Sequence, residues 1–189
     1  MYLKILNLIL KQKGASIMNM KKNIVTALLI AIGYILHQIV PGAIGSMKFD
    51  IMLSMIFVSL FINKDAKNAA VTAVLGGVIT AMTTTFPGGQ LPNIIDKVVT
   101  CILVYFMLRA TEGFSHTRVK LAIISFIGTL ISGTVFLLSA LVMVGLPVPF
   151  LALFIGIVIP TSITNIFVTT FIHEIVQKSI KASGISLTS

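Results

Sequence analysis

The run FDIMLSMIFVSLFI at residues 49–62, followed by NKDAKN at 63–68, shows the pattern that decides the fold of this 189-residue chain. An apolar run ends at a short gap that carries Lys64 and Lys67. Runs of this polarity are typical of membrane helices, although this one is shorter than the roughly 20 residues that normally cross the hydrocarbon. The alternation continues in both directions and gives five more apolar spans, at 24–40, 69–86, 94–110, 121–144 and 149–172. We therefore predict an all-α membrane protein, a bundle of six transmembrane helices.

Lysine and arginine fall almost entirely in every second gap between these spans. Only Lys48 and Lys97 lie on the other side, Lys48 in a gap and Lys97 near the start of the fourth span. The remaining twelve lie at the two termini and in the gaps at 63–68 and 109–120: Lys4, Lys11, Lys13, Lys21, Lys22, Lys64, Lys67, Arg109, Arg118, Lys120, Lys178 and Lys181. Because cytoplasmic loops carry the excess of positive charge, this asymmetry predicts cytoplasmic N- and C-termini and an even number of crossings.

The composition supports an integral membrane protein. Hydrophobic residues make up 57% of the chain and charged residues 10%, against about 25% charged residues in soluble domains. The net charge of +9 does not indicate nucleic acid, because no aromatic residues interleave with the cations as they do on a base-stacking surface. Anionic membrane lipid is the expected counter-charge. The single cysteine, Cys101, lies within a span and is interpreted as a packing residue.

The N-terminal segment is treated separately from the bundle. Lys4, Asn7 and Lys11 form a narrow polar stripe at helical spacing, which favours an interfacial helix over a signal peptide. The other interpretation is that the translation start is assigned too far upstream and that the natural chain begins near Met18 or Met20. The predicted division is an N-terminal extension at 1–17, a six-helix membrane domain at 18–175 and a cytoplasmic tail at 176–189.

The sequence lacks the groups that catalysis requires. Five acidic residues and three histidines are scattered along the chain. There is no metalloprotease helix motif, nucleophile elbow or phosphate-binding loop. We predict that the protein is not an enzyme, and expect no catalytic residue, metal site or cofactor.

Polar residues gather at the predicted outer side. They are His37, Gln38, Lys48, Asp50, Gln90, Asn93, Asp96 and Lys97. Both signs of charge are present, as a zwitterionic solute would need. The charged residues are equally typical of anchors at span ends, and His37 is equally suited to a hydrogen bond with a neighbouring helix.

Small residues at fourfold spacing predict close helix contacts. In the third and fifth spans we expect internal packing by Ala69, Ala73, Gly77, Ala81 and Thr85 and by Ser125, Thr129 and Gly133. In the first span, Ala27 and Ala31 are candidates for contact with a partner subunit. At about 100° per residue, Gln38 lies within roughly 20° of Ala27 and His37 about 80° away, so His37 is the candidate for a solute cavity.

Three segments resemble the bacterial tryptophan transporter family TrpP. They are residues 27–38, PGAIG at 41–45 and TTTFPGGQLPN at 83–93, and the resemblance covers most of residues 18–175. It implies a substrate-binding S component of an energy-coupling factor (ECF) transporter in the bacterial cytoplasmic membrane. Such a component has six helices, captures its solute near the outer face and works with a transmembrane coupling subunit and two cytoplasmic ATPase subunits. Ala27 and Ala31 match the family's docking motif.

The resemblance implies tryptophan uptake, and we expect the binding site beneath the two outer loops. Gly88 and Gly89 would let the backbone approach the solute. Gln90, Asn93 and His37 would supply polar contacts, and Phe86 and Met82 would contact the indole.

Three alternatives are compatible with the sequence. The first is an S component for another small nutrient, such as a vitamin. The second is a stand-alone secondary carrier, and the third is a membrane interaction protein that transports nothing.

Overall fold

The computed structural model describes residues 2–113 and 116–182, with side chains from Met20 onward. Over these residues the regular structure is helical, apart from an isolated antiparallel bridge between Gly42 and Lys48. A helix pairs its backbone groups internally, as a chain in lipid must do. The prediction of an all-α protein is confirmed.

The helices follow the apolar spans closely. Helix α1 spans Tyr2–Ile39, and a short 3₁₀ turn at Ile44–Ser46 follows it. The next four helices are α2 (Met52–Ile62), α3 (Ala66–Thr83), α4 (Gln90–Ala110) and α5 (Thr117–Met143). The last stretch consists of α6 (Phe150–Leu153), a π-helical turn (Phe154–Val158) and α7 (Ile159–Ala182).

Four helical stretches in the described part of the chain are long and apolar enough to cross a membrane. They are Met20–Ile39, Gln90–Ala110, Thr117–Met143 and Phe150–Ala182. Helix α2 is apolar but has only 11 residues. Helix α3 carries Lys67 and Asn68 in its first turn and is rich in small residues, so its hydropathy is lower. Six crossings and cytoplasmic termini stay predictions.

The predicted division at the termini stays a prediction as well. In the predicted extension at 1–17, the residues from Tyr2 onward already belong to α1, which continues without a break to Ile39. In the predicted tail, residues up to Ala182 belong to α7, and 183–189 lie outside the described residues.

Helix α2 lies at the centre of the bundle. Ten of its 11 residues are buried, and it packs against α1, α3, α4, α5 and α7. Its length of about 16 Å is roughly half the thickness of the hydrocarbon layer. Because other helices surround it, its apolar side chains pack within the protein and not against lipid.

The small residues of α3 pack internally, as predicted. Ala69, Ala73, Gly77 and Ala81 are buried, whereas Thr85 lies beyond the end of the helix and is exposed. A Cβ atom at Gly77 would lie 3.2 Å from the Cα of Ile94 on α4. The glycine therefore allows α3 and α4 to approach closely.

Helix α5 also packs closely against the last helical stretch through small residues. Ser125 and Thr129 are buried, and a Cβ atom at Gly133 would lie 2.4 Å from a methyl group of Val158. Val158 belongs to the π-helical turn, which directly precedes α7 and Pro160. Proline removes a backbone donor and crowds the carbonyl four residues before it, which explains the wider turn.

A buried polar cluster ties α1 to α2 and α3. The Thr26 hydroxyl donates to Asn68 Oδ1 at 2.8 Å, and the Ser59 hydroxyl donates to Thr26 Oγ1 at 3.1 Å. These bonds fix which face of α1 points into the bundle. Ala27 and Ala31 lie on the exposed face.

Cysteine labelling tests the orientation of the bundle. We use Ala43→Cys between α1 and α2 and Lys64→Cys between α2 and α3, because both positions are exposed. In a Cys101→Ala background, a membrane-impermeant maleimide should label residue 43 in intact cells and residue 64 only after the membrane is opened. Labelling of residue 64 in intact cells would reverse the predicted orientation.

Candidate functional site

A cavity of about 500 Å³, including its open mouth, lies at the end of the bundle formed by the connections at 40–51, 84–89 and 144–149. We call this the proline end, because these connections carry Pro41, Pro87, Pro147 and Pro149. The cavity is a candidate small-molecule site because charged, polar and aromatic groups converge on it. Fifteen residues line it: His37, Met47, Lys48, Asp50, Thr84, Phe86, Asn93, Asp96, Thr129, Ser132, Gly133, Phe136, Ile157, Val158 and Thr161.

One wall of the cavity contains a buried ionic cluster of Asp50, Asp96 and Lys97. The Lys97 ammonium lies 2.6 Å from Asp50 Oδ2 and also pairs with Asp96 Oδ2. Thr100 donates its hydroxyl to the other oxygen of Asp96 at 2.9 Å. Lys97 is fully buried, so the two carboxylates replace the water that its charge has lost.

Asp50 is also held through its backbone. Asn165 on α7 donates to the Asp50 carbonyl oxygen at 3.0 Å and to Thr129 Oγ1 at 3.1 Å. Ser54 on α2 donates to Asn165 Oδ1 at 2.9 Å. The second side-chain oxygen of Asp50, Oδ1, is buried and has no hydrogen-bond partner among the described residues.

Lys48 and His37 also line the cavity, and they connect the ends of α1 and α3. The Lys48 ammonium donates to the carbonyl oxygens of His37 and Thr83, each at 3.0 Å. The Thr83 hydroxyl donates to the Ile79 carbonyl oxygen at 2.7 Å and lies 2.7 Å from His37 Nδ1. Because the hydroxyl proton is already donated, His37 Nδ1 is the donor of that bond, and Nε2 is left as the acceptor of the neutral ring.

The rest of the lining is apolar. Phe86 and Phe136 meet edge to face, with ring centroids 5.3 Å apart and an interplanar angle of 83°. Met47, Ile157 and Val158 belong to the same hydrophobic cluster. The cavity therefore combines an aromatic and aliphatic wall with groups of both charges.

The structure brings three of the seven predicted site residues into this cavity. His37, Phe86 and Asn93 line it, and Asn93 donates to the Gly89 carbonyl oxygen at 2.8 Å. His37 is buried while Gln38 is exposed, as the helical angles predict.

The other four predicted site residues lie outside the lining. Met82 is 80% exposed on the surface of α3, and Gln90 is exposed at the start of α4. Gly88 has a φ of +69°, and a Cβ atom there would lie 2.5 Å from Val144, so it serves a tight turn against the end of α5. Gly89 precedes α4 and accepts the Asn93 bond through its carbonyl oxygen.

Most of the lining that the sequence did not predict comes from α5 and the last helical stretch. Thr129, Ser132, Gly133 and Phe136 recur at intervals of three and four, which places them on one face of α5. That spacing was a usable signal for a polar and aromatic face directed into the bundle. From the sequence, Thr129 and Gly133 are expected to be packing residues only; in the structure they also line the cavity.

The comparisons with known proteins identify the family. A family model described as tryptophan transporter TrpP matches residues 19–181. The chain belongs to this family. With its several apolar helices, it is a multi-pass protein of the cytoplasmic membrane.

Three curated relatives are named "Probable tryptophan transport protein". The relative from Clostridium acetobutylicum is 46% identical over 164 residues, which cover 87% of this chain and 96% of the relative. Those from Bacillus subtilis and Clostridium perfringens are 42% and 36% identical, each over 88% of this chain and 96% and 97% of the relative. No solved structure matches the chain.

The ionic cluster predicts a strong effect of removing its cation. Lys97→Met leaves the buried carboxylate of Asp96 and the partly buried one of Asp50 without their common partner, and we expect it to destabilise the fold by about 3–5 kcal/mol. Thermal unfolding of the purified protein in detergent measures the change. Lys64→Met, at an exposed position, is the control.

A second variant separates charge from packing. Combining Lys97→Met with Asp50→Asn and Asp96→Asn removes all three charges together and should recover part of the lost stability. An unchanged melting temperature for Lys97→Met alone would show that the cluster does not stabilise the bundle.

Proposed function

We propose that this protein takes up tryptophan as the substrate-binding membrane component of an ECF-type transporter, working with a transmembrane coupling subunit and two cytoplasmic ATPase subunits. Family membership supports the solute, because relatives named as probable tryptophan transport proteins align over nearly their whole length. The observation that carries the proposal is the cavity, which joins an aromatic wall to charges of both signs.

The cavity suits an amino acid with a large flat side chain. The edge-to-face pair of Phe86 and Phe136 offers ring surfaces at which an indole can stack or pack edge-on. Val158 and Ile157 extend the apolar surface. The hydroxyl groups of Thr129, Ser132 and Thr161 and the amide of Asn93 are lining groups that can accept a hydrogen bond from the indole N–H.

The dependence on an energising module is supported by the sequence and by the surface of α1. The chain has no phosphate-binding loop, so ATP hydrolysis would take place in other subunits. Ala27 and Ala31 are exposed one turn apart, and Tyr34 and Gln38 continue the same exposed face. Small exposed residues let a second helix approach closely, which is what docking on a coupling subunit requires.

A stand-alone ion-coupled carrier is the second candidate. The cluster of Asp50, Asp96 and Lys97 favours it, because ionisable groups inside membrane bundles often form proton pathways. Uptake by liposomes that contain only this protein, driven by a proton gradient, would support the carrier. Uptake that requires the coupling subunit and ATP would support the S component.

Binding measurements test the position of the site. His37→Ala and Asn93→Ala each remove a polar group from the lining and should weaken tryptophan binding about tenfold to hundredfold. Met82→Ala is the matched control, because Met82 is exposed and lies outside the cavity. Calorimetry on the purified protein gives the affinities. Normal binding by both lining variants together with a loss in Met82→Ala would place the site on the surface of α3.

Substitutions on α1 test docking. Ala27→Leu combined with Ala31→Leu adds bulk to an exposed face, so it should reduce uptake in cells strongly while tryptophan binding to the isolated protein stays unchanged. Ala66→Leu combined with Ala70→Leu is the control, since these two alanines are also exposed and four residues apart on α3. If the α1 variant lost binding and uptake equally, Ala27 and Ala31 would stabilise the fold of this protein and would not form a docking surface for a partner.

A further inference from the structure

The ionic cluster beside the cavity contains more acidic than basic groups. Two carboxylates, Asp50 and Asp96, share one ammonium group, that of Lys97. Lys48 lies in the same cavity, but no contact in the described structure pairs it with Asp50 or Asp96. A buried site with surplus negative charge favours the binding of a cation.

Asp50 has the free acceptor that such a cation needs. Its Oδ2 is occupied by Lys97, whereas Oδ1 has no side-chain hydrogen-bond partner in the described structure, and the backbone N–H of Leu53 is the other protein donor that interacts with the carboxylate. The side chain is 19% exposed and lines the cavity. The terminal torsion of an aspartate is broad, so a small rotation turns Oδ1 toward a ligand without breaking the backbone bond from Asn165. Asp96 differs, because Lys97 and Thr100 already occupy its two oxygens.

Lys48 supplies a second positive charge to the lining of the cavity. Lys48 uses two of its three N–H groups on the carbonyl oxygens of His37 and Thr83, so one N–H group remains for an anion. Lys97 cannot take this role, because it is fully buried and paired with both carboxylates. The cavity lining thus contains an acidic group, Asp50, and a basic group, Lys48, that no ion pair joins to each other.

We propose that Asp50 binds the α-ammonium group of the substrate and Lys48 binds its carboxylate, so that the site selects free zwitterionic amino acids and rejects indole compounds that lack the amine. Lys97 is a positioning residue that keeps the Asp50 carboxylate in place. This inference rests on the proposed function. It adds how the α-ammonium and carboxylate groups of the solute are recognised.

Ligand analogues test this proposal on the unmodified protein. The chain contains no tryptophan, so indole emission from L-tryptophan reports binding without a protein background in that channel. Indole-3-propionate has the ring and the carboxylate but no amine, and tryptamine has the amine but no carboxylate. We expect each to bind about ten- to a hundredfold more weakly than L-tryptophan, because each loses one charge-assisted bond. Indole-3-propionate binding as tightly as tryptophan would overturn the assignment of the ammonium site.

A substitution assigns the effect to Asp50. Asp50→Asn leaves Lys97 paired with Asp96 in a balanced ion pair, so the fold should persist. It should lower the affinity for L-tryptophan about ten- to a hundredfold and leave that for indole-3-propionate unchanged, which abolishes the discrimination between them. Asp96→Asn removes the same charge from the same cluster but keeps Asp50, and should retain the discrimination.

The outcomes separate this inference from the proposed function. Tryptophan binding with discrimination that Asp50→Asn leaves intact would overturn the inference and leave tryptophan binding standing. An equal loss for both ligands in Asp50→Asn would show a structural role only, and would also overturn it. If the unmodified protein binds no tryptophan, the proposed function fails and the inference fails with it. Asp65→Asn, in the exposed connection between α2 and α3, is the control for charge alone.

Discussion

The ammonium group of Lys97 is the constraint on which the proline end of the bundle depends. It is fully buried in α4 and lies between two carboxylates, one beside it in the chain and one in the connection before α2. A buried lysine without such partners would be strongly destabilising. The connection before α2 is therefore held against α4, and the walls of the cavity are fixed relative to each other.

Hydrogen bonds extend this constraint to the rest of the bundle. Asn165 joins α7 to the backbone of Asp50 and to α5, while Ser54 joins it to α2. These groups are shielded from water, so an unmade bond is costly and the set of bonds specifies one arrangement of helices. The polar residues that surround the cavity thus also determine how the apolar helices meet.

The sequence predicted the helices and the faces of α1 better than it predicted the cavity. Apolar runs have to be helical in lipid, and 100° per residue suffices to separate His37 from Gln38. The ion pair between Asp50 and Lys97 joins distant parts of the chain, and only the packed bundle brings them together. Met82 shows a second limit on what the sequence can predict, because it is apolar but exposed. In a membrane protein an apolar side chain suits the lipid-facing surface and the interior equally well.

The central position of α2 has a consequence for how the protein is assembled. A segment of 11 residues is too short to be stable across a bilayer by itself, and α2 has almost no surface that lipid could contact. Its membrane insertion is therefore coupled to the presence of its neighbours, with α3 following after a connection of three residues, 63–65. The position of α2 in the membrane therefore depends on its contacts with α1, α3, α4, α5 and α7 and not on its own length.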